Sequence, residues 1–301
     1  DTLSSIMIKH GEPFRAKAYQ KALETIMNYP GEITSAEQLA GGSGIGSTIL
    51  DKLKEYVETG TLRILEFEKT NPINILTDVY GIGPKKAEEL VKVGIKTIAD
   101  LRTRQDELLN SVQKIGLQFY EDILARIPRS EIEEYKIVFN KVFSKVTKDK
   151  TDTFEIVGSY RRGALDSGDI DIIITGSTGL TYKAFIDELI KQNIILHVLS
   201  RGPSKTLVIA KLPNSLVARR IDFLYAPLDE FAFALLYFTG SKTFNTVMRQ
   251  KALNQGYTFN EHSIHYLTAD KKKGEKVLQQ FLTEQSIFDF LKLPFKTPVE
   301  R

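Results

Sequence analysis

The stretch Gly158-Ser159-Tyr160-Arg161-Arg162-Gly163-Ala164-Leu165-Asp166-Ser167-Gly168-Asp169-Ile170-Asp171 decides how the chain is read. An apolar β-like run, Phe154-Glu155-Ile156-Val157, precedes it, and Ile172, Ile173 and Ile174 follow. Side chains alternate faces along a strand, so Asp169 and Asp171 point one way while Ile170 and Ile172 point the other. Two carboxylates on one edge of a buried strand repel each other unless a cation lies between them. Hard oxygen donors with no His or Cys beside them favour Mg²⁺ over Zn²⁺. Magnesium held by few carboxylates completes its shell with substrate phosphates and water. Around this pair, the Gly158-Ser159 turn offers N–H groups and a hydroxyl to phosphate oxygens. Arg161 and Arg162 add planar donors that match phosphate. A third carboxylate, Asp222, lies in a second strand-like run, Arg219 to Tyr225, between core-facing Ile221 and Phe223. Three aspartates from two strands form the donor set of a two-metal site. An isolated Asp-x-Asp would read as a strand end or turn; the arginines and Asp222 turn the reading toward phosphoryl transfer.

Outside this stretch the composition sets limits. With 301 residues, 42% hydrophobic and 26% charged, the chain has room for more than one domain with its own core. The absence of cysteine excludes disulfides and thiolate metal sites. His10, His197, His262 and His265 lack zinc-ligand spacing. No apolar run approaches the ~20 residues of a membrane span and no signal peptide is visible, so no membrane association is expected. The first residue is Asp1 rather than Met, which reads as a trimmed N-terminus. Net charge is +3, unevenly spread: residues 1–68 carry 7 Lys+Arg against 10 Asp+Glu, and residues 69–301 carry 34 against 28. Electrostatic grip on a polyanion is therefore expected mainly in the later part.

The fold class expected is α+β in several domains. Residues 10–68 read as short helices: Ala16, Ala18, Tyr19, Ala22, Leu23 and Ile26 recur at helical spacing, Ser35 caps a short helix, and Ile49, Leu50, Leu53, Tyr56 and Val57 share a face before Gly60. Between them lies Gly41-Gly42-Ser43-Gly44-Ile45-Gly46. The pattern recurs at Gly81-Ile82-Gly83-Pro84, ahead of a helix with Ala87, Leu90 and Val91 that ends near Gly94, and Ile98 to Leu101 begins another. Glycine lets backbone approach a phosphate, and the N–H groups of the next helix then face it. Gly44, Gly46, Gly81 and Gly83 are therefore candidate DNA-binding residues, in units that resemble helix-hairpin-helix motifs binding DNA without reading sequence; a tight inter-helix turn is the other reading.

Helical periodicity breaks at Arg126-Ile127-Pro128-Arg129. A helix from Glu131 to Lys145 then leads into strands at 154–157, 171–174, 195–199, 206–212 and 220–225, with a helix at 182–191: a small mixed sheet. From Pro227 the chain returns to helix at 230–238 and 244–255, with Gly256 closing the second. Residues 257–259 and 264–266 pair as strands, Lys271-Lys272-Lys273 reads as a solvated turn, a last helix lies near 286–291, and the proline-punctuated tail reads as poorly ordered. The boundaries expected are 1–68, a helical domain with the first hairpin; 69–127, a helical subdomain with the second; 128–226, the sheet with the aspartates; and 227–301, an α+β subdomain.

Gly158-Ser159 with Gly168-Asp169-Ile170-Asp171 resembles the signature of the nucleotidyltransferase superfamily. Arg219-Arg220-Ile221-Asp222 and Tyr237-Phe238-Thr239-Gly240-Ser241 narrow the resemblance to the family X DNA polymerases, in the polymerase beta pattern, over nearly the whole chain. The resemblance implies that the sheet is that family's palm, and that the four segments 1–68, 69–127, 128–226 and 227–301 are lyase-like, DNA-binding, catalytic and nucleotide-binding in turn. It implies two Mg²⁺ ions, with Mn²⁺ as a substitute, held by Asp169, Asp171 and Asp222, the last at the primer 3′-hydroxyl. It implies triphosphate contacts from Ser159, Arg162, Gly168 and Arg126, and packing of Tyr237, Phe238 and Gly240 against the deoxyribose with a cis peptide at Gly240–Ser241. Asn245 and Arg249 match minor-groove contacts, Lys205 a primer-phosphate contact, and Glu261 a residue of domain closing. Arg220, a DNA-binding candidate, lies two residues before Asp222 on the same face and is placed to orient it, a plain cross-strand ion pair being the other reading. A monovalent cation, Na⁺ or K⁺, is implied near Thr77, Val79 and Ile82. Lys52 matches a Schiff-base lysine acting on 5′-deoxyribose phosphate, assisted by Tyr19 and Arg15, and Phe14 a template-stacking position; by its residue type alone Lys52 is an exposed helix lysine. The pattern is not complete. Lys242 replaces an aspartate that contacts the base, Leu224 an arginine that competes for Asp222, and His262 a tyrosine, while Ala40, Thr48 and Ile64 replace phosphate-binding lysines.

The implied activity is template-directed gap filling in base-excision repair, by a monomer acting on gapped or nicked double-stranded DNA and dNTP. The implied location is intracellular and nuclear, with viral cytoplasmic and mitochondrial settings open. Two rivals remain. A template-independent nucleotidyltransferase of this fold carries a long loop before the third aspartate, where this chain has the short Pro213-Asn214-Ser215. A non-catalytic DNA-binding scaffold would not need three intact aspartates.

Overall fold

The structure is a computed structural model that describes residues 1–147 and 149–301. The chain divides into two compact units, Asp1–Tyr120 and Glu121–Arg301.

The first unit is helical: α1 (Thr2–Lys9), α2 (Pro13–Met27), α3 (Ser47–Thr59), α4 (Arg63–Lys69), α5 (Pro72–Thr77), α6 (Pro84–Lys92), α7 (Ile98–Thr103), α8 (Gln105–Leu108) and α9 (Ser111–Gln118). Proline opens α2, α5 and α6, where its missing N–H leaves no bond unmade. Gly60 ends α3 in the left-handed region at φ 73°. Two hydrophobic clusters form. Ala22, Leu39 and Ile45 make a small one, and nine residues from Leu76 to Leu117 make a larger one around Leu90 and Leu101. The two hairpins share one backbone: Gly44 and Gly81 have φ of 79° and 86°, and Gly46 and Gly83 are extended N-caps of α3 and α6. In each, the isoleucine between the glycines is buried and anchors the turn.

Short α10 (Tyr120–Leu124) leads into the second unit, whose elements are β1 (Ile127–Pro128), α11 (Arg129–Val146), β2 (Thr153–Ile156), α12 (Gly158–Arg161), β3 (Asp166–Ser167), β4 (Ile170–Gly176), α13 (Leu180–Lys191), β5 (Ile195–Arg201), β6 (Lys205–Ala210) and β7 (Arg219–Pro227). The main sheet has the order β2-β4-β7-β6-β5, with β4 and β7 parallel and the other pairs antiparallel. Alternation sorts its faces as the sequence implies. Ile170, Ile172, Ile174, Ile221 and Phe223 pack with Tyr135, Phe139 and Phe185 of α11 and α13. On the other face Ile173, Leu224 and Ala226 meet Ala234 of α14 (Phe231–Thr239). That face also carries Asp171 and Asp222, one strand step before Ile173 and Leu224.

Beyond α14 come α15 (Lys242–Asn254), β8 (Tyr257–Phe259), β9 (Ile264–Leu267), β10 (Lys273–Lys276) and α16 (Glu284–Phe290), the three strands forming a sheet of order β10-β9-β8 around a core that includes Phe233, Met248, Phe259 and Phe288. Four local readings change. The Gly158-Ser159 turn is a single helical turn. The third lysine of Lys271-Lys272-Lys273 begins β10, because its backbone pairs with Leu267. Gln255 caps α15 and Gly256 follows at φ 82°. The tail is packed: Pro298–Glu300 forms a 3₁₀ turn, and the fully buried Arg301 side chain pairs with Glu284 at 2.5 Å among Phe244, Phe288 and Phe295. Proline marked a chain end that an aromatic cage and a buried carboxylate hold in place.

Candidate active site

β4 and β7 run parallel in a register that sets Asp171 directly opposite Asp222. Neighbouring parallel strands keep their side chains in step, so both carboxylates leave the sheet on one face. Burial, and then the charge of Asp222, push the Asp171 carboxyl up to about 6, with Lys205 and Arg162 pulling it back. Asp169, one residue before β4, pairs with Arg220 of β7. Arg220 Nε also lies 3.4 Å from Asp222 Oδ1, and Lys205 Nζ lies 3.4 Å from Asp222 Oδ2.

Above this edge, a cleft of about 530 Å³ is lined by Gly158, Ser159, Arg162, Asp169, Asp171, Tyr237, Phe238, Gly240, Lys242, Asn245, Thr246 and Arg249. Gly158 is required twice over. Its φ is 61°, and a Cβ there would stand 2.8 Å from Asp171 Oδ2. Ser159 donates its hydroxyl hydrogen to Ser167 Oγ at 2.7 Å. Arg162 donates to the Thr239 carbonyl at 2.6 Å, tying α12 to the end of α14, and burial lowers its pKa. The Gly240–Ser241 peptide is cis. Asn245 donates to the Tyr237 carbonyl at 2.7 Å, and the Arg249 guanidinium lies 4.9 Å from the Tyr237 ring centroid and 3.8 Å from Glu261. Arg126 and Gly168 lie beside each other at the β1–β3 pair, a Gly168 Cβ position standing 3.2 Å from Arg126 Nη1; Arg126 pairs with Asp166 at 2.5 Å.

The donor set fits divalent cations. Asp171 and Asp222 are paired carboxylates held close against their mutual repulsion, and Asp222 Oδ1 is buried without a hydrogen-bond partner. Among the described residues no three acidic or histidine side chains form a ready-made metal cage. Asp169 faces Arg220 instead, so the third carboxylate is held by a cation of the chain itself.

In the helical unit the expected residues gather less tightly. A cavity of about 470 Å³ is lined by Arg15, Tyr19, Gly44, Gly46 and Thr48, and one of about 340 Å³ by Tyr19, Lys52, Leu53 and Tyr56; Tyr19 borders both. Arg15 pairs with Glu12 at 2.6 Å, and Phe14 is 86% exposed. Thr77 donates its hydroxyl to the Ile73 carbonyl, and the Val79 carbonyl accepts from the Ile82 N–H.

Sequence reasoning missed Thr246 in the cleft and the support behind it. Arg161, read from the sequence as a phosphate donor beside Arg162, instead donates to Thr239 Oγ1 at 2.7 Å and pairs with Glu284 at 2.8 Å. Thr246 was within reach, one residue after Asn245 and four after Lys242 on a helix. The Arg161–Glu284 pair joins residues 123 apart and leaves no local signal.

Four family profiles match in succession: "Helix-hairpin-helix domain" over residues 2–62, "Fingers domain of DNA polymerase lambda" over 74–124, "DNA polymerase beta palm" over 126–228 and "DNA polymerase beta thumb" over 234–301. Among curated proteins, DNA polymerase lambda of Arabidopsis thaliana is 31% identical over 97% of this chain and 58% of its own length. DNA polymerase lambda of Rattus norvegicus is 30% identical over 97% and 53%. The human DNA-directed DNA/RNA polymerase mu is 26% identical over 97% and 65%. The chain thus spans a little over half the length of the lambda relatives it matches.

Proposed function

The chain belongs to family X of the DNA polymerases, and from that premise we propose that it fills gaps in damaged double-stranded DNA, joining a template-selected dNTP to a primer 3′-hydroxyl. The observation that carries this reading is the register of Asp171 against Asp222 beneath a cleft lined by Arg162, Tyr237, Asn245 and Arg249.

In this mechanism Asp169, Asp171 and Asp222 would hold two Mg²⁺ ions, for which Mn²⁺ can substitute. Bound there, the ions lower the pKa of the primer hydroxyl and neutralise triphosphate charge. Arg162 and Ser159 hold triphosphate oxygens, and Arg126 adds charge nearby. The Tyr237 and Phe238 rings pack against the sugar, with Gly240 giving the backbone room beside it. Asn245 and Arg249 share a face of α15 and reach the minor-groove edge of the new pair. Because the substrates arrive charged, most of the rate comes from positioning and charge stabilisation.

Primer extension on one-nucleotide-gapped DNA tests the reading. Only the complementary nucleotide should add, and Asp222→Ala should lower the rate roughly a thousandfold or more. Addition without a template strand would favour a template-independent transferase; the short segment between β6 and β7, residues 211–218, supports the template-directed reading.

Two finer parts of the proposal rest on narrower support. Lyase action on 5′-deoxyribose phosphate would use Lys52, which borders a mainly apolar cavity with Tyr19, as the Schiff-base nucleophile. Borohydride trapping on an incised abasic site, lost in Lys52→Ala, tests it. A Na⁺ or K⁺ held by backbone oxygens near Thr77, Val79 and Ile82 would steady the second hairpin on DNA. Among the described residues no helix is long and apolar enough to cross a membrane. We place the protein, acting as a monomer, in the nucleus on the strength of the repair reading alone.

A further inference from the structure

Lys205 begins β6 and lies opposite Leu224 of β7, while Leu207 lies opposite Asp222. Alternation therefore puts the Lys205 side chain on the face of the carboxylates, diagonal to Asp222 and within reach of it. The two oxygens of Asp222 have different neighbours. Oδ1 faces Arg220 Nε at 3.4 Å, and neither atom has a hydrogen-bond partner; the other end of that guanidinium is committed to Asp169. Oδ2 faces Lys205 Nζ at 3.4 Å, with the Asp222 side chain 9% exposed and Lys205 half exposed. Leu224, packed with Ile173 and Ala234, brings no cation to this register. The ammonium of Lys205 is a point charge on a flexible stem, able to leave one anion for another.

We infer that Lys205 is a positioning residue for Asp222. It neutralises this carboxylate while the cleft lacks DNA, and a phosphate of bound DNA draws it away, freeing Oδ2 for a divalent cation. The inference rests on the polymerase reading and adds to it a coupling between DNA and metal. Such a coupling is reciprocal: the cation, by displacing Lys205, tightens DNA binding by the factor with which DNA tightens the cation.

Mn²⁺ binding, followed by the electron-spin signal of the free ion, tests this without turnover. Titrations would compare the wild-type protein, Lys205→Ala, Lys205→Gln and Lys205→Arg, alone and on one-nucleotide-gapped DNA, after subtraction of Mn²⁺ held by DNA alone. Without DNA, Lys205→Ala and Lys205→Gln should bind Mn²⁺ roughly five- to tenfold more tightly than wild type. DNA should then tighten wild type and Lys205→Arg by that factor more than the neutral variants; Lys205→Gln serves if Lys205→Ala does not fold. Equal Mn²⁺ affinities for wild type and the neutral variants without DNA, or equal tightening by DNA in both, would overturn the inference. A wild-type protein that extends primers while showing either result sinks the inference alone. A wild-type protein unable to extend them sinks the polymerase reading, whatever the Mn²⁺ affinities.

Discussion

The helical unit and the sheet unit hold their working groups by opposite means. In residues 1–120 the candidate DNA contacts are backbone N–H groups in glycine turns, and at the first glycine of each, Gly44 and Gly81, a side chain would strain or clash. In residues 121–301 the candidate catalytic groups are charges, and Asp171 sits where burial and Asp222 both disfavour its ionised form. The first arrangement serves fold and function together, since the same glycines that shape the turn open it. The second sets them against each other. Substitutions should therefore move stability in opposite directions in the two units.

The largest effect is expected at Gly116. This helical glycine passes so close to the second hairpin that a Cβ would stand 2.3 Å from the Tyr80 carbonyl oxygen and 3.0 Å from its carbon. Both atoms are backbone, so neither can turn aside. Gly116→Ala should destabilise the helical unit by about 3 kcal/mol or more, read from denaturant melts. An unchanged melt would mean that α9 does not press on the hairpin.

Asp171→Asn carries the opposite sign. Its carboxyl is held at about 6 in the fold, above the ordinary aspartate value of 3.8. Below about pH 4 the group is protonated folded or unfolded, and the substitution should change little. As pH rises toward 6 the unfolded chain releases this proton first, so the wild type loses stability, and above pH 6 the loss is complete. In EDTA at pH 8, Asp171→Asn should therefore be more stable than wild type by about 2 to 3 kcal/mol, while nucleotide transfer disappears. A gain equal at pH 4 and pH 8 would show that packing, and not charge, sets the difference.

These two positions also mark what the sequence makes legible. That Asp171 and Asp222 each leave the core face follows from period-two alternation, because Ile170 and Ile172 flank the first and Ile221 and Phe223 the second. The hairpins follow from a repeated Gly-Ile-Gly, which puts a buried anchor between two open backbone positions. What the sequence conceals depends on distance along the chain. Gly116 reads as an ordinary glycine in a helix until Tyr80 arrives beside it. Arg301 reads as a loose terminus until Glu284 and three phenylalanines enclose it. Asp169 reads as a third metal ligand, and its pairing with Arg220 emerges only from the β4–β7 register.

A smaller effect separates the first glycines of the hairpins. Both have positive φ, so alanine costs each about 1 kcal/mol or somewhat more. At Gly44 a Cβ would also meet the Ala22 backbone nitrogen at 3.1 Å, besides Lys21 Cγ at 2.6 Å; at Gly81 the nearest atom is Gln113 Cγ at 3.2 Å and the nearest backbone atom is 3.7 Å away. Gly44→Ala should therefore lower the melting temperature further than Gly81→Ala, although its hairpin sits on the smaller cluster. The reverse order would mean that the size of the supporting core governs the loss.

The smallest change in stability, and the sharpest test of the hairpins as DNA contacts, lies at the second glycines. Gly46 and Gly83 have ordinary extended backbone, and a Cβ on either would meet nothing within 4 Å. Alanine at these N-caps should cost only about 0.5 kcal/mol. Any larger effect on DNA binding must then come from the methyl group standing where a phosphate would approach. The charges nearby differ: Lys85 and Lys86 follow Pro84 in the first turn of α6, whereas Ser47 and Thr48 open α3 in a segment with three more acidic than basic residues. Anisotropy titrations with gapped DNA should show Gly83→Ala losing about fivefold in affinity and Gly46→Ala less than twofold, with the salt dependence unchanged because no charge is removed. Equal losses would mean that turn geometry alone grips the phosphate; a loss larger at Gly46 would make the acidic segment the principal DNA contact, against its own charge.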